Sequence, residues 1–184
     1  MKILSVKSVI VLLAAVAVPS ISMAAACKPA ISEAEVKTTQ DKWGKGLVEI
    51  GAAKNPKAEA EKFIADIYAY QNGPVLFKPT VASTDEFRQT PEEALSYFVT
   101  GQDKEDKGFA LAPYTKVRFE NHAITYDCNT AVSMGNYYFT GKDGKETKVT
   151  YTMGFVKEPD GKVKINIQHS SLPYVAEKAK DKKG

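Results

Sequence analysis

Apolar residues along this chain change their spacing twice. From Val9 to Val18 they run almost unbroken, between Ser32 and Gly101 they recur every three or four positions, and beyond Gly108 they alternate with polar neighbours. The middle regime predicts helices. Ser32-Glu33-Ala34-Glu35 is a capping box, and Val36, Trp43, Leu47 and Ile50 behind it share one helical face. Gly44, Gly46 and Gly51 weaken that helix, which implies close approach of a neighbouring element. Asn55-Pro56 opens a second helix with the stripe Ala60, Phe63, Ile64, Ile67 and Tyr70 or Gln71, stopped by Asn72-Gly73-Pro74. Val75 to Lys78 reads as a short strand. Thr90-Pro91-Glu92-Glu93 opens a third helix that buries Leu95, Phe98 and Val99. Gln102 to Gly108 is a charged loop.

The alternating regime predicts strands. Val117 and Phe119 alternate with Arg118 and Glu120, and Ala131 to Thr140 forms a long strand. Gly141-Lys142-Asp143-Gly144-Lys145 makes a hairpin loop, because Asp-Gly supplies the positive φ such turns need. Val149, Tyr151, Met153 and Phe155 then alternate, Glu158-Pro159-Asp160-Gly161 turns the chain, and Val163, Ile165, Ile167 and His169 share a face of the last strand. Hairpin-linked strands make an antiparallel sheet, and helices followed by a meander make a two-layer α+β fold.

The unbroken run near the start has another meaning. Lys2 and Lys7 precede it, Pro19 ends it, and small residues Ser22 to Ala26 follow. It falls short of the ~20 residues that span a bilayer, and the pattern is that of a signal peptide over 1–26, with cleavage after Ala24 or Ala26. The product would be periplasmic or secreted, with no membrane span. Removing Lys2 and Lys7 takes the formal charge from +3 to about +1, too little for a nucleic-acid partner. Residues 176–184 read as a charged, flexible tail, leaving 27–175 as one domain. Cys27 and Cys128 suit a disulfide in an oxidising compartment, while Cys27 at the cleavage site also suits a lipidated cysteine, and free thiols are the third reading. Two cysteines and two histidines at wide spacing do not make a metal site, and no cofactor is implied.

The element order resembles the nuclear-transport-factor-2-like (NTF2-like, SnoaL-like) cone. Lys162 to Tyr174 is similar to the closing strand of the calmodulin-dependent-kinase association-domain group. Gly73 to Thr80 and Met134 to Thr140 resemble a secreted bacterial subgroup. The resemblance implies a cone of three N-terminal helices on a curved antiparallel sheet. It also implies a homodimer through the outer sheet face, where Tyr138 could sit. It leaves function open, since one fold hosts many activities. The Asp-Arg-Asp set of epoxide hydrolases and the paired acids of ketosteroid isomerases have no counterpart here, nor does the metal-binding Cys/His cluster that a cyclohydrolase would need.

His169 continues an apolar face and is expected to point into the cone, as general base, as anion grip, or as a satisfied core histidine. Arg118 is a carboxylate or phosphate clamp if it faces inward and a rim residue if it faces outward. The Tyr151 hydroxyl could orient a ligand, and Trp43 and Tyr70 are expected on the cone wall. The reading favoured by these residues is a non-enzymatic small-molecule-binding domain using Trp43, Tyr70, Arg118, Tyr151 and His169. The alternatives are an acid–base enzyme with His169 as the catalytic base, or an assembly domain with no ligand.

Overall fold

The computed structural model describes residues 30–176. Helix α1 (Glu33–Ala52) starts where Ser32 and Glu35 cap each other reciprocally. Helix α2 (Pro56–Ile67) starts at Asn55, and α3 (Pro91–Val99) at a second capping box between Thr90 and Glu93. Each such cap is worth about 1 kcal/mol. The apolar stripe of α1 is buried as its spacing predicts, with Val36, Trp43, Leu47 and Ile50 all in the core. Its glycines are points of close approach. A Cβ on Gly46 would lie 2.4 Å from the Phe63 ring of α2, and one on Gly51 would lie 2.6 Å from the Ala110 carbonyl.

Strands β1 (Leu76–Lys78), β2 (Tyr114–Asp127), β3 (Thr130–Gly141), β4 (Glu146–Lys157) and β5 (Val163–Ser171) form one sheet in the order β1-β5-β4-β3-β2. The β2 to β5 meander is antiparallel, as its hairpins require. The sheet as a whole is mixed, because β1 joins its edge parallel to β5, with Phe77 beside Gln168. A three-residue strand carries too little pattern to announce its direction. The helices cover one face of this sheet.

Three details depart from the sequence pattern. Helix α2 stops at Ile67. Tyr68 is extended and bridges Ile165, and Tyr70–Asn72 form a separate one-turn 3-10 helix. Leu95 is only half-buried. The third departure matters most. Strand β5 carries a bulge against β4, with Gly154 paired to Ile167 and Phe155 to Ile165, so that Asn166 is skipped. Because side chains alternate with period two, one extra residue exchanges the faces of everything after it. Ile165 is in the core, but beyond the bulge it is Gln168 and Ser170 that point inward, and His169 is exposed. Gly154 makes room for the bulge, since a Cβ there would lie 2.8 Å from the Asn166 side-chain oxygen and 2.9 Å from Ile167 Cβ.

The expected signal peptide over 1–26, Cys27 and the tail from residue 177 lie outside the described residues. No helix among the described residues is long and apolar enough to cross a membrane.

Candidate functional site

Strand β3 alternates strictly, sending Ala131, Ser133, Tyr137 and Phe139 inward. The Tyr137 ring packs in the aromatic layer between sheet and helices, stacked on Phe119 (centroids 5.4 Å, planes 5° apart) and edge-on to Trp43 (5.6 Å). Its hydroxyl therefore emerges deep inside the cone. There it shares a hydrogen bond with the Ser170 hydroxyl and is hydrogen-bonded by the side chains of Gln168 and Thr80. The β5 bulge delivers Gln168 and Ser170. Thr80 comes from the segment after β1.

Burial pushes the Tyr137 phenol up to about 12, against the lowering effect of its hydrogen bonds from Ser170, Gln168 and Thr80. At neutral pH it is a proton-bearing donor. Gln168 also accepts from Tyr68 (2.5 Å), and Tyr68 accepts from the Trp43 indole N–H (2.8 Å). Desolvation raises Tyr68 well above the ordinary tyrosine value. Tyr97 of α3 is also raised by burial, and its hydroxyl is hydrogen-bonded to the backbone of Thr80 and Val81. The chain Trp43–Tyr68–Gln168–Tyr137–Ser170 thus satisfies almost every polar atom brought into an apolar core, as burial demands.

These groups border a small cavity of about 10 Å³ in the core, lined by Trp43, Phe77, Pro79, Thr80, Tyr97, Phe98, Phe109, Tyr137, Gln168 and Ser170. That is room for roughly one water-sized centre. Its polar lining is hydroxyl and amide, with an aromatic box around it. Such a site fits a very small, planar or linear molecule that accepts hydrogen bonds. Among the described residues no group of three His, Cys, Asp or Glu side chains is placed to hold a metal ion.

A second buried polar cluster lies beside it. Gln40 of α1 donates to Asn121 (2.8 Å), Ser133 (3.1 Å) and the Tyr151 hydroxyl (3.0 Å), and Tyr151 donates to Asn121. Burial also raises the Tyr151 phenol. Its ring meets Tyr137 edge-on at 5.2 Å.

The residues singled out from the sequence scatter across these features. Trp43 lines the cavity. Tyr151 faces the cone but belongs to the neighbouring polar cluster. Tyr70 is half-buried, donates to the Arg88 carbonyl (2.8 Å), and lines a surface groove between α2 and α3 instead of the cavity. Arg118 faces outward, the rim position and not the inward clamp of its two alternatives, and so is no ligand-binding residue of the cavity. It pairs with Glu146 (2.9 Å) and Glu120 (2.6 Å) and covers the Tyr138 ring at 3.7 Å. Tyr138 is on the outer face, as expected. His169 is corrected as well. The bulge turns it to the outer face, where it and His122 border a depression of about 410 Å³. The inward pointing of His169 that would make it the cavity's base is therefore absent. The amino-acid sequence did not single out Tyr68, Thr80, Tyr97, Tyr137 or Gln168, and offered Ser170 only without the surroundings of a nucleophile. For Tyr137 the signal was alternation along β3, which could not say which of Tyr137 and Tyr138 faces in.

Comparison with known proteins sharpens the assignment. A family model described as "Metal-independent carbonic anhydrase" matches residues 34–172. A protein of that description from Nostoc sp. (strain PCC 7120 / SAG 25.82 / UTEX 2576) is 50% identical over 155 residues, 79% of this chain and 75% of that protein. The crystal structure of a cyanobacterial iota-carbonic anhydrase complexed with bicarbonate is 49% identical. It matches with a TM-score of 0.76 over 79% of this chain and 94% of that one. A putative calcium/calmodulin-dependent protein kinase II association domain from Xanthomonas campestris is 30% identical with a TM-score of 0.55, over 80% of this chain and 93% of that one. An NTF2-like protein from Pseudomonas putida KT2440, 13% identical with a TM-score of 0.54 over 79% of this chain and 89% of that one, shares the fold. The NTF2-like resemblance thus holds for the architecture. The preference for a non-enzymatic binding domain does not hold, because the family model and the two cyanobacterial relatives are carbonic anhydrases, which are enzymes. His169 and Arg118, expected at the pocket, lie on the outer face of the sheet.

Proposed function

The chain belongs to the metal-independent carbonic anhydrase family, and from that premise we propose that it catalyses the reversible hydration of carbon dioxide to bicarbonate in the cavity around Tyr137. The observation that carries the proposal is the buried Tyr137 hydroxyl, ringed by Ser170, Gln168 and Thr80 inside an aromatic box. Bicarbonate, the ligand of the cyanobacterial relative, is a small planar anion that such donors suit.

In the hydration direction, the oxygen of a water attacks the carbon of carbon dioxide. A new C–O bond forms, and one C=O π pair moves onto an oxygen, which becomes negative. Tyr137 and the Gln168 amide supply hydrogen bonds where that charge develops. Because burial holds the phenol up to about 12, it keeps its proton to donate. The cavity as it stands has room for about one water, so the lining side chains must move apart to admit carbon dioxide beside it, and Ser170 and Thr80, each both donor and acceptor, then orient the attacking water. The proton that water loses passes along the hydroxyls to Thr80, which is half-buried and so reaches solvent. The products are bicarbonate and one released proton.

The test is stopped-flow hydration of carbon dioxide with a pH indicator, before and after extensive chelation. Wild-type protein should accelerate hydration equally in both states. Tyr137→Phe, which keeps the ring, should lower kcat/KM by about 100-fold, the usual cost of one lost charge-stabilising donor. A folded wild type with no acceleration over buffer would overturn the proposal.

Export, a Cys27–Cys128 disulfide and a homodimer belong to the same reading. The charged, apolar, small-residue pattern of 1–26 supports export. For the disulfide, Cys128 has no free thiol and the chain holds one other cysteine. For the dimer, the outer face of β3 presents Val132 (39% exposed) and Met134 (56%).

A further inference from the structure

The cavity around Tyr137 is lined almost wholly by buried residues, so a substrate must pass between them to reach it. Of the residues lining it, only Thr80 and Phe109 retain appreciable contact with solvent. Phe109 stacks on buried Tyr97, with centroids 5.3 Å apart and planes at 17°. On the far side of this pair lies an open chamber of about 500 Å³, which Tyr97 and Phe109 also line, together with Val81, Leu111 and Ala112. Two aromatic rings are therefore the partition between solvent and the polar cluster.

We infer that this outer chamber is the entrance to the cavity and that the Phe109 ring is its door. The inference deepens the carbonic anhydrase reading and rests on it for the identity of the traveller, carbon dioxide. The two halves of the partition are held differently. The Tyr97 hydroxyl accepts from the backbone N–H groups of Thr80 and Val81. Phe109 has no polar tether. It opens a one-turn 3-10 helix, Phe109–Leu111, entered through Gly108 at φ 76°, a left-handed conformation that suits glycine. A ring held only by packing can turn, and side-chain rotation is fast compared with most catalytic turnover.

The frame around this door is cross-linked by ion pairs and hydrogen bonds. Arg88 is buried and ties the loop before Phe109 to the segment after Thr80, through Asp106 (2.8 Å) and Asp103 (3.2 Å). Glu105 accepts from the backbone N–H groups of Ser83, Thr84 and Asp85 at 3.1 to 3.2 Å. The ion pairs fix the two jambs while leaving Phe109 untethered, so motion is confined to the ring and its short helix. An apolar partition also suits an apolar substrate. Carbon dioxide carries no charge to desolvate on the way through.

Trp43 makes the passage measurable without any catalysis, since it is the sole tryptophan of the chain, is 1% exposed and lines the cavity. Dissolved oxygen, apolar and similar in size to carbon dioxide, quenches tryptophan on contact. Two variants bracket the door. Phe109→Ala removes it, and Ala112→Phe fills the outer chamber without touching the cavity lining. The oxygen quenching constant of Trp43 should rise at least about twofold in the first and fall at least about twofold in the second. In carbon dioxide hydration, Ala112→Phe should lower kcat/KM severalfold while kcat changes by less than about twofold, as a loss confined to access requires. Should Phe109→Ala not fold, Ala112→Phe alone decides. Quenching unchanged in Ala112→Phe overturns the entrance, even if wild type hydrates carbon dioxide. Quenching that shifts as expected in a protein inert toward carbon dioxide upholds the entrance and overturns the activity.

Discussion

Tyr137 shows how burial sets a residue's chemistry. A phenol in water ionises near 10. Enclosed between Phe119, Trp43 and Tyr151, it is pushed up to about 12 by desolvation, despite three hydrogen bonds that pull it the other way. The same burial has a stability consequence with a definite sign. A group whose folded pKa is raised above its unfolded value stabilises the fold fully below the unfolded pKa, and that contribution is lost as pH rises through the folded pKa. The protein should therefore lose about 3 kcal/mol attributable to Tyr137 between pH 10 and 12, from a shift of roughly two units. Urea unfolding at pH 9 and pH 11.5 measures it. Tyr137→Phe should flatten that part of the slope, and an unchanged slope would show that the phenol is not held in this way.

At the scale of elements, strand β5 decides which chemistry enters the cone. Read with an unbroken period of two, it sends Val163, Ile165, Ile167 and His169 to one face, and His169 becomes the base. The bulge at Asn166 breaks that period and turns Gln168 and Ser170 in. Within β5 the one local hint of the skip is Asn166, a residue type uncommon in strands, and a single asparagine does not fix where a bulge falls. The cause is across the ladder, at Gly154 of β4, where a side chain would meet Asn166 and Ile167. Gly154→Ala should force the bulge to shift and cost about 1 to 3 kcal/mol, the usual penalty for overpacking. It should also lower hydration activity, because Gln168 and Ser170 move with the bulge. Thermal denaturation and the hydration assay on one preparation check both. Full stability with full activity would mean that the bulge does not depend on this glycine. By contrast, the helices were legible in advance. Their capping boxes and stripes are local signals, and Val36, Trp43, Leu47 and Ile50 are buried where the 3.6-residue period puts them.

For the whole molecule, export and covalent closure meet at Cys27, which follows the expected cleavage site. Intact mass of the mature protein should match a chain beginning after Ala24 or Ala26, and should rise by about 2 Da on reduction if Cys27 and Cys128 are paired. A bridge closing so long a loop contributes a few kcal/mol in the chain-entropy account, so reductant should lower Tm. A lipid-sized mass increment at Cys27 would replace the disulfide with an anchor. An unmodified mass with two titratable thiols would remove both.

The order of elements, the capped helices, the β hairpins and the α+β class follow from the amino-acid sequence by itself, because caps, turns and periodicity act over a few residues. The sequence also placed Trp43 on the inward face of α1. The direction of β1, the register past Asn166 and the choice of Tyr137 over Tyr138 as the inward phenol belong to the tertiary structure alone. Each depends on a partner far along the chain: β1 on β5, Asn166 on Gly154, Tyr137 on Ser170. Strand faces are set by pairing across the sheet. Alternation within one strand offers two equal solutions, and only the neighbouring strand selects between them. That selection is what put a ring of hydroxyls, and not a histidine, at the centre of this protein.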